Sequence, residues 1–514
     1  MEQLYNERRV IFWIGFGLLL VSILFHAFKR NRPAVIFLLI ASFFLFLYAA
    51  ISIPFLMPWD ERLHALVAKN MMKHPLVPTL YEEDPLSLPY SWIQTHIWVH
   101  KQPFFLWQSM LSFKIFGVNE FAYRFPGVLL GCAMVYACYR SGKLLGNYSI
   151  GYCAAFLTAT SMYTYRLISG VACLDQNDLV FMEYISLSIW TMIEYLYSGK
   201  KYWIVLTGLF SGFAVLTKWV VGLLVYFIWS FYTLFKHKWR LKQFGSMLIS
   251  LFITLVIAIP WQVYIFIKYP YETQIEYGHN LKHFTNVLDG HDGSFTFYIN
   301  GMGEQFGRLV PFVILIAFLF FYFKSTDKKL SLWIIISIVG AYLFFSLAKT
   351  KMPSFTTVVI MPIYLSIAFL ICSLTDWIFK KLNFSSNFKI LGVLVVFIPL
   401  GFSRFDFDLL TDTDSLLAGG ECFNMINHNK QVFQNLKLPS NAVLFNIKGY
   451  NNIDAMFYTG LPAYNFIPSE SQYNELVAKG KRVAVFLHSN GPVPTYIISK
   501  KDIILLNDSL EHCE

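Results

Sequence analysis

The stretch VIFWIGFGLLLVSILFHAF (10–28) decides the fold class, and a second run, AVIFLLIASFFLFLYAAISIPFL (34–56), follows it after the basic pentapeptide KRNRP (29–33). Each run is close to or above the roughly 20 apolar residues that a helix needs to cross about 30 Å of hydrocarbon. Neither run alternates between apolar and polar residues, which excludes transmembrane β-strands. The two runs therefore predict a pair of membrane-spanning helices joined by a short basic turn.

The composition predicts that most of the chain is embedded in lipid. Of the 514 residues, 56% are hydrophobic and 14% are charged, and the mean hydropathy is +0.51. A soluble chain needs more charged surface than this. The formal net charge of +10 is concentrated in short clusters between apolar runs, which is typical of membrane topology signals rather than of nucleic-acid binding. We therefore expect an α-helical polytopic membrane protein whose partners include the bilayer and no nucleic acid.

The apolar runs predict about 12 spans, and the pattern is compatible with 11–13. The run 103–117 is shorter and carries Lys114, so it is interpreted as a helix in the membrane interface, with a thirteenth span as the alternative. The predicted spans are 10–28, 34–56, 121–140, 148–168, 179–197, 202–216, 219–235, 243–266, 304–323, 330–347, 354–374 and 388–404.

The connections between these spans differ in charge, which predicts the orientation of the chain. Six alternate connections together hold 17 Lys and Arg residues and one acid, Asp327. Such a bias marks the cytoplasmic side. We therefore expect a multi-pass protein of the cytoplasmic (inner) membrane, with the loops 57–120 and 267–303 on the extracytoplasmic or periplasmic side.

The last part of the chain, 405–514, is predicted to be a small extracytoplasmic α/β domain that follows a membrane domain over 1–404. Short buried strands are expected at 441–447, 482–489 and 502–507, and a helix over 469–480 begins with a Ser-x-x-Gln capping box. Cys422 and Cys513 lie in this domain and are expected either to pair in an oxidising compartment or to remain thiols.

Nearly all chemically informative polar residues fall on the predicted outer side. Charges at a membrane border are costly unless they are paired or solvated, so a one-sided collection indicates one functional site. Lysines bind phosphate, and a carboxylate such as Asp60 at a dry border is expected to have a raised pKa and to act as a general base. The pattern predicts group transfer from a lipid-linked phosphate donor. The residues are Asp60, Glu61, His64, His100, Lys101, Asp175, Asp178, Lys218, His279, His283, His291, Asp292, Lys349 and Lys351.

Six short motifs in this order resemble the GT-C superfamily of polytopic glycosyltransferases, in particular its ArnT-like and protein O-mannosyltransferase-related members. The resemblance covers roughly 55–375, and each motif is weak alone, whereas the ordered set is fairly specific. Gln102 departs from the pattern, since it replaces the first of two usual prolines. The motifs are Asp60-Glu61, His100-Lys101-Gln102-Pro103, Arg124-Phe125-Pro126, Asp175, Leu216-Thr217-Lys218 and Lys349-Thr350-Lys351-Met352-Pro353.

The resemblance implies an inverting enzyme that transfers a sugar from a polyprenyl-phosphate carrier to lipid A, a glycan or a protein. Asp60 would be the base or would orient the acceptor. The other expected roles are catalysis for Glu61 and Asp175, binding of the donor phosphate for Lys101, Lys218, Lys349 and Lys351, and binding of the acceptor or substrate for His64, Arg124 and Asp178. His100 stands where the family often has a metal-binding Glu, so a divalent metal held by His100 and His291 is a further expectation.

Two other classes of function are weighed against this interpretation. A transporter or flippase of lipid-linked glycans would place polar groups near the bilayer midplane. Here the predicted spans are almost free of charge at mid-depth, with Glu183 and Glu194 as exceptions. A non-catalytic membrane scaffold would leave the outer acids and lysines without a role. The sequence therefore favours the glycosyltransferase and keeps the flippase as the alternative.

Overall fold

The computed structural model describes residues 7–171, 176–237, 241–382, 386–405, 407 and 421–512. Two residues with predicted roles, Asp175 and Cys513, lie outside these ranges. The helices of the N-terminal half are α1 Arg8–Ala27, α2 Asn31–Ile51, α3 Asp60–Asn70, α4 Phe104–Phe116, α5 Glu120–Leu145, α6 Tyr148–Ala159, α7 Met162–Ser169, α8 Gln176–Ser198, α9 Tyr202–Lys218, α10 Leu224–His237 and α11 Gly245–Lys268.

The chain continues with α12 Pro270–Thr285, α13 Phe297–Phe306, α14 Val310–Lys324, α15 Lys328–Leu347, α16 Ile360–Lys381 and α17 Ser386–Arg404. Short 3₁₀ turns at Val220–Leu223, Leu241–Phe244 and Pro353–Val359 precede α10, α11 and α16. The C-terminal domain (421–512) consists of α18 Glu421–Asn435, β1 Ala442–Phe445, α19 Asn452–Thr459, α20 Glu470–Ala478, β2 Arg482–Phe486, α21 Thr495–Ser499 and β3 Ile504–Leu506.

The membrane-spanning character of the chain is confirmed. Within the described ranges, seven helices are long and apolar enough to cross a bilayer, or eight if α13 and α14, which meet at 84°, form one span. Shorter apolar helices lie at Tyr148–Ala159, Tyr202–Lys218 and Val220–Lys236. Each of the twelve predicted runs overlaps helix, but two runs are split. The run 148–168 is split because Ser161 caps the N-terminus of α7, and the run 304–323 is split between α13 and α14. The total of about 12 spans stays a prediction.

Close helix contacts and one ion pair hold the bundle together. A Cβ atom added at Gly142 of α5 would lie 2.8 Å from the Cα atom of Gly151 in α6, so the two helices can approach this closely only without side chains. Arg140 and Glu194 form a two-pronged ion pair at 2.6 and 2.9 Å between α5 and α8. Glu194 therefore has a partner that its sequence neighbourhood does not reveal. The carboxylate of Glu183 is buried and accepts no hydrogen bond from the described residues.

The predicted α/β layout of the C-terminal domain is confirmed. Its three strands form a parallel sheet in the order β1-β2-β3, and Ser469 and Gln472 form the predicted capping box at the start of α20. Cys422 is disulfide-bonded. The domain packs against α3, where a buried ion pair joins Arg62 to Asp454 at 2.8 Å. The helix that begins at Asp60 is therefore shared by the membrane bundle and the C-terminal domain.

Candidate active site

Asp60 is the first residue of α3 and lies beside Lys101, with 3.3 Å between the carboxylate Oδ2 and the ammonium Nζ. Burial raises the pKa of the Asp60 carboxyl, but the positive charges of Lys101, His64 and His100 outweigh burial and bring the pKa below its ordinary value. The prediction of a raised pKa at this position is therefore wrong, because it left out these neighbours. Asp60 is ionised at neutral pH and available to accept a hydrogen bond from a substrate hydroxyl group.

Glu61, the next residue, points away from this pair into the protein. Its two carboxylate oxygens accept hydrogen bonds from Arg124 at 2.7 and 2.8 Å, and one of them also accepts the backbone N–H of Met57 at 2.7 Å. Arg124 is fully buried and donates further to backbone carbonyls of the 50–55 segment. Neither side chain is open to a substrate. The predicted catalytic role of Glu61 and the predicted acceptor-binding role of Arg124 are corrected to a positioning role for the start of α3.

His64 lies one turn after Asp60 and is also completely buried. Its ring packs edge-on against Trp98 and Phe105, with centroid distances of 5.6 and 5.0 Å. A side chain enclosed by aromatic rings does not contact an acceptor directly. His64 is therefore placed as a packing residue one turn from Asp60, which does not fit the predicted acceptor contact.

Lys218 ends α9 and forms an ion pair with Asp178 of α8. The other oxygen of Asp178 accepts a hydrogen bond from Ser354 at 2.5 Å, and the Lys218 ammonium lies 5.1 Å from the centroid of the Phe355 ring. Asp178 is buried, whereas Lys218 is partly exposed. The Asp178 carboxylate is therefore placed to orient the Lys218 ammonium rather than to contact a substrate. The chain reverses at Trp219 with a φ of 76°, which aims the end of α9 toward this cluster.

The corner 348–353 contradicts one predicted role. Lys351 is 3% exposed, and its ammonium donates to the carbonyl groups of Phe345, Ser346 and Ala348 at the C-terminal end of α15. All three ammonium hydrogens have acceptors there, so Lys351 caps the helix and is not free to bind a donor phosphate. Lys349 is exposed, and its backbone N–H donates to a carbonyl at the end of α12. The corner therefore offers one solvent-accessible ammonium instead of the predicted two.

Glu276 of α12 is a site residue that the sequence reasoning missed. Its carboxylate accepts hydrogen bonds from the His100 ring, at 2.6 Å, and from the Tyr90 hydroxyl. Burial alone would raise the pKa of Glu276, but the hydrogen bonds from His100 and Tyr90 bring it below the ordinary value. The available signal was spacing, because Glu276, His279 and His283 follow at i, i+3 and i+7 on one face of a helix.

His283 shows that the two lysines act on the same region. Burial lowers the pKa of His283 to about 4, and the positive charges of His279, Lys101 and Lys218 contribute in the same direction. Lys101 and Lys218 are therefore both within electrostatic reach of one ring although they are 117 positions apart in the sequence. Asp60 is in contact with Lys101, whereas the convergence of Lys218 on the same point stays a prediction that is compatible with this shared influence on His283.

A cleft of about 230 Å³ opens beside this cluster, between α9 and α11. Its polar end contains Gln262, which donates to Gln102 at 2.7 Å and accepts from the Tyr277 hydroxyl. Gln102 directly follows Lys101, so the polar end of the cleft adjoins the charged cluster. The remaining lining is mostly apolar and consists of Val215, Trp219, Val220, Leu223, Thr254, Leu255 and Ala258.

Comparison with known proteins agrees with this architecture. The solved structure of ArnT from Cupriavidus metallidurans bound to undecaprenyl phosphate superimposes with a TM-score of 0.62 at 17% sequence identity, covering 88% of this chain and 89% of that chain. The protein has the GT-C fold. Archaeal oligosaccharyltransferase AglB from Archaeoglobus fulgidus, solved with an inhibitory peptide and a dolichol-phosphate, matches this GT-C chain with a TM-score of 0.53 at 12% identity, over 84% of this chain and 64% of that chain.

Sequence comparisons cover part of the GT-C chain. Residues 100–264 match the family model of dolichyl-phosphate-mannose-protein mannosyltransferase, which places His100, Lys101 and Lys218 inside the matched segment. An uncharacterized protein of Aquifex aeolicus (strain VF5) is 27% identical over 198 residues, which is 38% of this chain. The match spans 36% of the length of that relative.

The residues predicted to bind a metal, His100 and His291, have different surroundings in the structure. The Nδ1 atom of His100 is engaged by Glu276, and His291 is exposed, with its backbone carbonyl accepting the N–H of Lys351 at 2.9 Å. Across the described ranges, no group of three or more His, Cys, Asp or Glu side chains is arranged to hold a metal ion. The predicted metal site at His100 and His291 therefore stays a prediction, and no catalytic step is assigned to a divalent cation.

Proposed function

We propose that the protein is an inverting glycosyltransferase that moves a sugar from a polyprenyl-phosphate carrier to an acceptor on the outer face of the cytoplasmic membrane. The acceptor is lipid A, another glycan or a protein. The observation that carries the proposal is the contact between Asp60 and Lys101, whose sequence neighbour Gln102 lines a mostly apolar cleft. A phosphate-binding cation and a proton-accepting carboxylate are then in contact next to an apolar cleft.

The cations of the site suit the donor half of the reaction. Lys101 and Lys218 are both partly exposed, so their ammonium groups bind the carrier phosphate while the prenyl chain lies along the cleft. When the bond between the anomeric carbon and the phosphate oxygen breaks, the carrier phosphate gains negative charge. Positive charge held in place at that position stabilises the transition state more than the ground state.

The carboxylate of the site suits the acceptor half. Asp60 accepts the hydrogen bond of the acceptor hydroxyl and takes its proton as the oxygen attacks the anomeric carbon from the side opposite the phosphate. The configuration at that carbon is therefore inverted. Asp175, which lies outside the described residues, keeps its proposed catalytic role, and Lys349 remains a proposed contact for the carrier phosphate.

The decisive test is the variant Asp60→Asn in the purified full-length chain, reconstituted in nanodiscs with undecaprenyl-phosphate sugars. We expect transfer to fall by at least about a thousandfold, because the general base and its charge are lost. Asp292→Asn is the matched control, since Asp292 is an exposed acid on the same predicted side. Normal turnover by Asp60→Asn with a folded protein would remove Asp60 from the mechanism.

The acceptor and the flippase alternative are tested together in cells. Mass spectrometry of lipid A, glycans and surface proteins is compared between cells with and without the gene. A glycosyltransferase leaves one sugar increment missing from a single fraction and lets the loaded carrier accumulate. A flippase instead causes several sugar increments to be lost, and the purified protein then forms no glycosylated product.

A further inference from the structure

Two exposed aromatic rings stand next to the catalytic carboxylate. Trp59 directly precedes Asp60 and is 47% exposed, and Tyr450 of the C-terminal domain is 36% exposed. Their ring centroids are 5.5 Å apart, with an angle of 50° between the ring planes. The pair therefore forms an open, angled apolar surface that is built from two domains and begins at the residue before Asp60.

The backbone at Trp59 is unfavourable for a side chain of this size. Its φ of 72° and ψ of −126° lie in a region that glycine adopts freely and other residues rarely adopt. The surrounding contacts hold this conformation, since Glu61 binds the N–H of Met57 on one side and α3 begins on the other. Strained backbone of this kind is concentrated at ligand-binding positions, which indicates that an indole ring at this point serves a function.

Tyr450 is placed by the fold of the C-terminal domain. It lies in the turn that follows the carboxyl end of β1, where open parallel sheets bind their ligands. The next residue, Asn451, accepts a hydrogen bond from Arg62 at 3.4 Å, and Arg62 is also paired with Asp454. Arg62 is on α3, two residues after Asp60. The same helix thus fixes Tyr450 against Trp59 and carries the catalytic carboxylate.

We propose that Trp59 and Tyr450 form a platform on which a pyranose ring of the acceptor stacks, so that the acceptor is a saccharide, either a glycan or a glycolipid headgroup. A pyranose has an apolar face of polarised C–H groups and a rim of hydroxyl groups. The C–H face fits the negative face of an aromatic ring, while a hydroxyl group on the rim reaches Asp60. This inference rests on the proposed function and selects among its three acceptor classes.

Binding is measured directly by saturation-transfer NMR on the full chain in nanodiscs, with a panel of methyl pyranosides (glucoside, galactoside, mannoside and N-acetylglucosaminide). The variants are Trp59→Gly, which suits the positive φ and therefore folds, and Tyr450→Ala. We expect at least one pyranoside to bind through its C–H face and each variant to weaken it by about threefold to tenfold. Trp377→Ala removes an aromatic ring that is 58% exposed on α16, far along the chain from the site, and is expected to leave binding unchanged.

Two results would overturn the platform. Absence of binding by every pyranoside would do so, and so would equal binding by wild type, Trp59→Gly and Tyr450→Ala. The second result would assign the two rings to contact with the membrane interface.

The transfer assay separates this inference from the proposed function. Once the acceptor fraction is identified, Trp59→Gly and Tyr450→Ala are expected to raise the KM for the acceptor by about threefold to tenfold and to leave the KM for the donor unchanged. Transfer to a saccharide with an unaltered acceptor KM removes the platform but leaves the glycosyltransferase in place. Transfer to a peptide hydroxyl group removes the saccharide acceptor. Absence of any transfer by wild type removes the proposed function itself.

Discussion

The buried pair of Glu61 and Arg124 permits a quantitative prediction that also decides what Glu61 does. Glu61→Gln keeps the size of the side chain but leaves the guanidinium of Arg124 without a counter-charge in a fully buried position. Breaking a buried ion pair from one side costs about 3–5 kcal/mol, because the remaining charge stays desolvated. The N–H of Met57 also loses a charged acceptor, which adds about 1 kcal/mol.

Removing both charges is expected to cost less than removing one. In Glu61→Leu combined with Arg124→Met no buried charge remains, and such replacements are often close to neutral. Here rescue is only partial, because the carbonyl groups of Ala50, Ile53 and Phe55 lose the donors that Arg124 supplies. We expect the double variant to recover about half of the loss caused by Glu61→Gln.

The assay is reversible unfolding in mixed micelles with increasing SDS, followed by circular dichroism, with transfer activity measured on the same preparations. The matched control is Glu475→Gln, since Glu475 forms a solvent-exposed i,i+4 pair with Lys479 that contributes about 0.3–0.5 kcal/mol. The reasoning is refuted if the free energies of unfolding of Glu61→Gln and of this control differ by less than about 1 kcal/mol while Glu61→Gln has lost transfer activity. That outcome would return Glu61 to the catalytic group.

Four further predictions concern single residues. Lys351→Met removes the cap of α15 and is expected to destabilise the protein by about 1–3 kcal/mol in the same unfolding assay. The KM for the donor is expected to stay unchanged in the folded fraction. An increased KM for the donor at unchanged stability would instead support the predicted role of Lys351 in phosphate binding. The pKa of Asp60 is lower in the folded protein than in the unfolded chain, so the ionised carboxylate stabilises the fold above the unfolded-state pKa. This stabilisation is lost only as the pH falls through the lower folded-state pKa. We therefore expect the transfer rate to show no titration of Asp60 between about pH 5 and 8. Lys101→Met removes the nearest positive charge and should shift the acidic limb of the rate profile upward, which a pH series on both proteins would detect. Ser469→Ala breaks the capping box and is expected to cost about 1 kcal/mol by the same unfolding assay, with transfer unaffected, whereas loss of transfer would link α20 to the site.

The parts of the molecule that local pattern determines were predictable from the sequence. Apolar length placed the spanning helices, and alternation of short strands with a helix predicted the C-terminal domain. The capping box at Ser469 is formed as expected because it depends on two residues three positions apart. The contact between Asp60 and Lys101 was predicted because the charge pattern of the connections places both residues on the same side of the membrane. For this pair, the assignment to one side was sufficient.

The parts that depend on side-chain direction were not predictable in this way. Lys351 belongs to a motif that carries the resemblance, but only coordinates show that its ammonium turns back onto carbonyl groups at the end of the preceding helix, α15. Glu276 escaped notice because its partner His100 is 176 positions away and Glu276 itself lies in none of the six motifs. The pKa of Asp60 was misjudged because desolvation can be inferred from sequence, whereas the contact with Lys101, which is 41 positions away, cannot.

The sharing of α3 between the bundle and the C-terminal domain has a practical side. An expression strategy that shortens the gene at residue 404 to obtain a minimal enzyme discards Asp454, and with it the counter-ion that keeps Arg62 satisfied two residues from Asp60. For the same reason, chimeras that exchange C-terminal segments between relatives should carry the 57–70 segment along with the tail. The 57–70 segment and the C-terminal domain are far apart in the sequence but pack together as one structural unit.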